Sequence, residues 1–148
     1  MTAFLLDVNV LVAFAWPTHS ANQTVTRWMA RHAEEGWATC PFTQAALVRI
    51  LSNPAFSPDA LTPGDAIALL AANLKHPAHR FWADDVSFND AISPFRDRIV
   101  AHQQVTDAYL LGLAIRKKGR FATLDRGVRN LLADNRVHSS VEVIAPAS

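Results

Sequence analysis

The chain has 148 residues, 50% of them apolar, enough for one domain that buries roughly two thirds of the surface its unfolded form exposes. Its 14 basic and 13 acidic side chains nearly cancel, so net charge by itself announces neither a nucleic-acid binder nor an acidic tail. The single cysteine, Cys40, excludes a disulfide framework and a thiolate metal cluster, which makes a reducing cytoplasm the expected compartment.

In chain order, residues 3–6 read as a buried strand and Val8 to Phe14 as a short helix ended by Trp16-Pro17. The apolar stretch from Phe4 to Trp16 is broken by Asp7 and Asn9, is too short for a bilayer and lacks a basic leader, so neither secretion nor a membrane is expected. A helix from Ala21 to His32, a strand over Trp37 to Cys40 and a helix from Pro41 to Leu51 follow, then a proline-marked loop from Asn53 to Leu61. Thr62-Pro63-Gly64-Asp65 has the form of a helix start with proline at its first position, and Ile67, Leu70, Ala71 and Leu74 continue at helical spacing. Phe81-Trp82 reads as a third strand entering Asp84-Asp85, and a polar stretch with Pro94 leads to a helix from about Thr106 to Lys118, stopped by Gly119. A strand over Arg120 to Leu124, a short helix over Gly127 to Leu132 and a last strand over Val141 to Ile144 complete the pattern. Strands alternating with helices predict one α/β domain over 1–148, with a mostly parallel central sheet of four to five strands and helices on both faces.

Three aspartates fall where this pattern changes. Asp7 closes Phe4-Leu5-Leu6, Asp125 closes Phe121-Ala122-Thr123-Leu124, and Asp107 stands at the start of the long apolar helix. In an open α/β sheet, ligands bind in the crevice beyond the carboxyl ends of the strands, so the three can converge there. Converging carboxylates repel one another, and a hard divalent cation with oxygen ligands and water in its shell relieves that repulsion. A metal-dependent hydrolase is one expectation, and three turn formers or helix caps are the other. Other chemistries lack their motifs. The six histidines have no zinc spacing, and neither Gly-x-Ser-x-Gly nor a glycine-rich phosphate loop occurs. Against the haloacid-dehalogenase nucleophile motif, Asn9 stands where a second aspartate belongs. A receiver domain needs an early acidic pair and a late lysine, which this chain does not have.

The segments Asp7-Val8-Asn9-Val10-Leu11, Gly36 to Pro41, Val48 to Pro54, Phe81 to Asp85, Val105 to Leu111 and Ala122 to Gly127, taken in order, resemble a PIN domain over nearly the whole chain. They are most similar to the VapC toxin ribonucleases of bacterial toxin–antitoxin pairs. The resemblance implies a small cytoplasmic Mg²⁺-dependent endoribonuclease, with Mn²⁺ as a possible substitute. Such an enzyme is usually a homodimer and is held inactive by a VapB-type antitoxin.

Carried over by position, the family's first, third and fourth acids are Asp7, Asp107 and Asp125, as catalytic and metal-holding groups. The second acid, a glutamate in the helix after the second strand, falls within Thr43-Gln44-Ala45-Ala46, where Gln44 is the expected stand-in and Ala46 offers nothing. Asp84 and Asp85 are read as a solvated turn rather than a replacement. Asn9 and Thr123 are expected to hold the carboxylates through hydrogen bonds. Residues 116–136 carry seven basic side chains, Arg116, Lys117, Lys118, Arg120, Arg126, Arg129 and Arg136, against Asp125 and Asp134. Of these, Arg116, Lys117, Arg126 and Arg129 are the candidate phosphate contacts for RNA, with a helix C-terminus and a solvated face as the plain alternative. With Gln44 in place of the second acid, a module that binds RNA or its antitoxin without appreciable turnover remains the alternative function.

Overall fold

The computed structural model describes residues 2–133 and 139–146, so Asp134, Arg136 and His138 lie outside the described residues. Five strands, β1 (Phe4–Leu6), β2 (Trp37–Thr39), β3 (His79–Phe81), β4 (Arg120–Thr123) and β5 (Val141–Val143), form one sheet in the order β3-β2-β1-β4-β5. Every pairing is parallel. Side chains alternate across a strand, and the sheet therefore divides the core in two. Phe4, Leu6, Trp37 and Ala122 face a layer made by α1 (Val8–Ala15), α2 (Asn22–Arg31), α3 (Pro41–Leu51) and α4 (Pro63–Leu74). Leu5, Ala38, Phe121 and Val141 face α5 (Phe88–Ile92), α6 (Gln104–Arg116) and two 3-10 turns, Ser93–Arg98 and Arg126–Leu131.

The predicted architecture holds, with local shifts. The third strand lies over His79–Phe81 rather than starting at Phe81, and the long helix runs from Gln104 to Arg116 rather than from Thr106 to Lys118. The stretch read only as polar contains α5, whose start is capped by Ser87: its hydroxyl accepts from the Asp90 amide at 3.1 Å. Only Ala91 of α5 is buried, so no apolar stripe announces it. Its seat is visible from the other side, at Gly112 in the middle of α6, where a Cβ would collide with the Ala91 carbonyl. Glycine is otherwise unfavourable in a helix interior by about 1 kcal/mol, and here it permits the close crossing of α5 over α6.

Strand order fixes the functional end of the sheet. The chain winds outward from β1 through β2 to β3, then returns to place β4 on the other side of β1. The switch point between β1 and β4 opens a crevice beyond their carboxyl ends, the usual ligand position in such sheets.

Candidate active site

Register places the first two aspartates together. Leu5 pairs with Phe121 and Leu6 with Ala122, so the next residues, Asp7 and Thr123, stand side by side. Asp7 is buried, at 7% exposure, and N-caps α1: its Oδ1 accepts from the Val8 amide at 2.7 Å. Its Oδ2 accepts from the fully buried Thr123 hydroxyl, also at 2.7 Å. Thr123 Oγ1 in turn accepts from the Asp125 amide at 3.0 Å and from Asn9 Nδ2 at 3.4 Å, while Asn9 Oδ1 accepts from the Leu124 amide at 3.2 Å. Thr123 and Asn9 thus tie the ends of β1 and β4 to each other through Asp7. Asp125 caps the following 3-10 turn through the Gly127 amide at 2.8 Å, so it is at once a cap and a member of this cluster.

Asp107 comes from the opposite side, in the first turn of α6, and shares a cleft with Asp7. Burial pushes its pKa up to about 7, and the charges of Asp7 and Asp125 push in the same direction. The Asp7 carboxyl is also raised. Burial is the main cause, opposed by the hydrogen bonds from Thr123 and Val8 and reinforced by Asp125. The charges of Asp7 and Asp125 therefore act on Asp107, and that of Asp125 on Asp7, which distant turn formers would not show. Among the described residues no three His, Cys, Asp or Glu side chains form a closed set of metal ligands. The donors present nevertheless suit Mg²⁺, which keeps several waters and is commonly held by one or two carboxylates together with substrate phosphates.

A family model described as PIN domain matches residues 4–143. The chain belongs to the PIN-domain family. Ribonuclease VapC39 of Mycobacterium tuberculosis is 43% identical over 144 residues, covering 97% of this chain and 100% of that protein. Ribonuclease VapC38 of the same organism is 45% identical over 140 residues, covering 95% and 96%. Ribonuclease VapC44, also from that organism, is 40% identical over 124 residues, covering 84% and 87%.

In this PIN domain the expected stand-in for the missing acid is misplaced. Gln44 turns to β2, where its Nε2 donates to Thr39 Oγ1 at 2.9 Å, and the same oxygen meets His79 Nε2 at 2.8 Å. The cleft holding Asp7 and Asp107 is lined on the α3 side by Phe42, Ala46, Arg49 and Ile50, without Gln44. The two positions lie about 200° apart around the helix, so only one of them can face the cleft. Ala46 does, and it brings no oxygen.

Arg49, one helical turn after Ala46, is exposed on the same wall. Sequence reasoning assigned it no role, although a helix face that starts from Ala46 passes through it.

The basic segment also divides. Arg126 and Arg129 are exposed on the turn that follows Asp125, at the carboxyl end of the sheet. Arg116 ends α6, about 14 Å along the axis from Asp107. Lys117 pairs with Asp85 at 2.9 Å and borders a hollow with Ala3, at the amino end of β1. The structure therefore sets Arg126 and Arg129 on the turn that Asp125 caps and leaves Arg116 and Lys117 at the far end of the sheet.

Proposed function

We propose that this PIN domain is a Mg²⁺-dependent endoribonuclease, with Mn²⁺ as a substitute, acting as the toxin of a toxin–antitoxin pair. The observation that carries the reading is the meeting of Asp7 and Asp107 in one cleft at the switch point, with Asp125 tied to Asp7 through Thr123; burial first, and the charges of Asp7 and Asp125 second, raise the Asp107 pKa to about 7. The similarity to proteins named ribonuclease supports RNA as the substrate. Asp7 and Asp107 would hold the ion, with Asp125 orienting water or holding a second one. Such an ion supplies Lewis-acid charge that lowers the pKa of water and offsets charge on the phosphate. Thr123 and Asn9 fix the Asp7 carboxylate for that role, and Arg49, Arg126 and Arg129 position the RNA through its phosphates.

The test is cleavage of RNA by the purified chain with Mg²⁺ or Mn²⁺ and with excess EDTA. Metal-dependent cleavage leaving 5′-phosphate ends is expected, because the attacking oxygen comes from water. Full activity in EDTA, or 2′,3′-cyclic phosphate ends, overturns the mechanism. Ala46 in the cleft favours a second reading, a module that binds RNA or antitoxin without turnover. That reading predicts RNA binding with no cleavage in the same assay.

The position of the missing acid gives a further expectation. Ala46→Glu adds a carboxylate on the cleft wall and should tighten Mg²⁺ binding by about tenfold, since affinity for hard divalent ions rises with ligand charge. Gln44→Glu, facing Thr39, should leave it unchanged; calorimetric titration reads both. For RNA, glutamine at Arg126 and Arg129 together should lower the salt dependence of binding by a slope of about 2, whereas the same change at Arg116 and Lys117 should be silent.

A VapB-type antitoxin as partner follows from the likeness to VapC proteins, and co-purification with the product of a neighbouring gene checks it. A homodimer is supported by α4, an apolar helix that buries only Ala66 and leaves Ile67 55% exposed. Loss of the dimer on sedimentation of Ile67→Lys would assign that face to it. Among the described residues no helix is long and apolar enough to cross a membrane, and the buried free thiol of Cys40 agrees with a cytoplasmic location.

A further inference from the structure

Beside the acidic cleft, across the shared walls of Phe42 and Thr106, lies a second hollow of about 220 Å³. Its remaining walls are Asp84, Phe88, Val105 and Tyr109. Tyr109 is the centre of a ring cluster: Phe88 lies parallel to it, with centroids 6.1 Å apart and planes at 15°, and Phe42 meets it edge-on at 6.4 Å. Phe42, Phe88 and Val105 are 38%, 47% and 39% exposed, which gathers half of the described chain's exposed large apolar side chains at one spot. Asp84 closes the rim.

Aromatic faces beside a lone carboxylate match one component of RNA. Unstacked bases bind by lying on aromatic rings while their edges are read by polar groups. A carboxylate only accepts hydrogen bonds, so it selects base edges that donate. It also repels phosphate, so the base and not the backbone enters. Guanine, with N1–H and N2–H donors side by side, fits a carboxylate in two-pronged fashion, and uracil offers a single N–H. The hollow is smaller than the roughly 300 Å³ of a drug-sized site, and it is not the long groove that an amphipathic peptide helix needs for its successive anchors. It also adjoins the cleft, with Phe42 and Thr106 lining both. Thr106, Asp107 and Tyr109 fall within one turn of α6, about 5 Å along its axis, a span that one nucleotide bridges between its phosphate and its base.

We infer that this hollow is the nucleobase subsite of the enzyme: the base flanking the scissile phosphate stacks on Phe88, Tyr109 and Phe42, and Asp84 favours guanine there. The inference rests on the ribonuclease reading above, and its test separates the two. Short single-stranded RNAs carry the fluorescent base 2-aminopurine at each position in turn and are bound to the full chain bearing Asp107→Asn. Stacking on the rings should quench the fluorescence at one position only, the one flanking the cut mapped with the unaltered enzyme. Phe88→Ala should remove that quenching and weaken RNA binding about tenfold, the scale of a lost base–aromatic stack, while the loss of its ring pair with Tyr109 lowers the melting temperature by only a few degrees and leaves the chain folded. In the active enzyme, kcat/KM for guanine over uracil at that position should be about tenfold, and Asp84→Ala should bring it near one.

Quenching that survives Phe88→Ala, or a base preference that survives Asp84→Ala, overturns the subsite. So does a pair of variants that weakens only antitoxin binding, which would make the hollow a protein-docking groove. Cleavage without position-specific quenching removes the subsite and leaves the ribonuclease. Quenching without cleavage removes the enzyme and leaves a base-binding module.

Discussion

Asparagine at position 107 is expected to abolish RNA cleavage and at the same time to stabilise the metal-free chain. The loss of rate should exceed about 100-fold, since even groups that only support metal ligands are worth ten- to a hundredfold. The stability change follows from the carboxyl's surroundings. In the unfolded chain the group titrates near 3.8, and in the folded one near 7, raised by burial and by Asp7 and Asp125. The folded state therefore holds a proton that the unfolded state releases. This group's contribution is fully favourable below the unfolded value and is lost as pH rises through 7. Asp107 is only half-buried, so solvent screening reduces the effect to about 1 kcal/mol, or roughly 2–4 °C in a domain of this size. The favourable interaction of an acid with the first turn of α6 opposes it by about 0.3–1 kcal/mol. Thermal unfolding in EDTA should show the wild-type melting temperature falling between about pH 4 and about pH 7, with a flatter profile for Asp107→Asn. A variant less stable than wild type at about pH 8 would make Asp107 a helix-start residue whose charge the fold needs.

The parts of this site legible in the sequence were those set by the ends of strands. Asp7 and Asp125 each follow an apolar run, and with parallel register such residues land at the same edge of the sheet. Other features depended on rotation about a helix or on length along one, which side-chain chemistry does not reveal. Gln44 is the better metal ligand by composition, yet the turn of α3 gives the cleft wall to Ala46 and Arg49. Arg116 and Arg126 are near neighbours in sequence, but β4 runs between them, so they fall at opposite edges of the sheet. The hollow beside the cleft needs Phe42, Asp84, Phe88 and Tyr109 from three helices and a connection, and α5 gave no periodic signal from which Phe88 could be placed. The mid-helix Gly112 was the available clue that something crosses α6 closely.

Thr123→Val is expected to lower activity and stability together, the opposite pattern to Asp107→Asn. The substitution keeps the shape of a fully buried side chain at the end of β4 and removes one hydroxyl. That hydroxyl donates to Asp7 at 2.7 Å and accepts from the Asp125 amide at 3.0 Å, so its loss strips the buried carboxylate of its side-chain partner and loosens the next acid. A hydrogen bond to a charged group is worth about 1.5–3 kcal/mol, and denaturant unfolding near neutral pH should register a loss of that size. The Thr123 bond also holds the Asp7 pKa down against its burial, so the variant's Asp7 should take up a proton more readily and hold a cation less well. Cleavage should therefore fall about ten- to a hundredfold, recovering in part as Mg²⁺ is raised. Thr123→Ser keeps the hydroxyl and loses only a methyl group, so it should retain most of the activity despite some loss of packing. If valine and serine instead impair cleavage equally, packing at the end of β4 matters and the hydrogen bond to Asp7 does not. If valine cleaves within about twofold of wild type, Asp7 holds its position without Thr123.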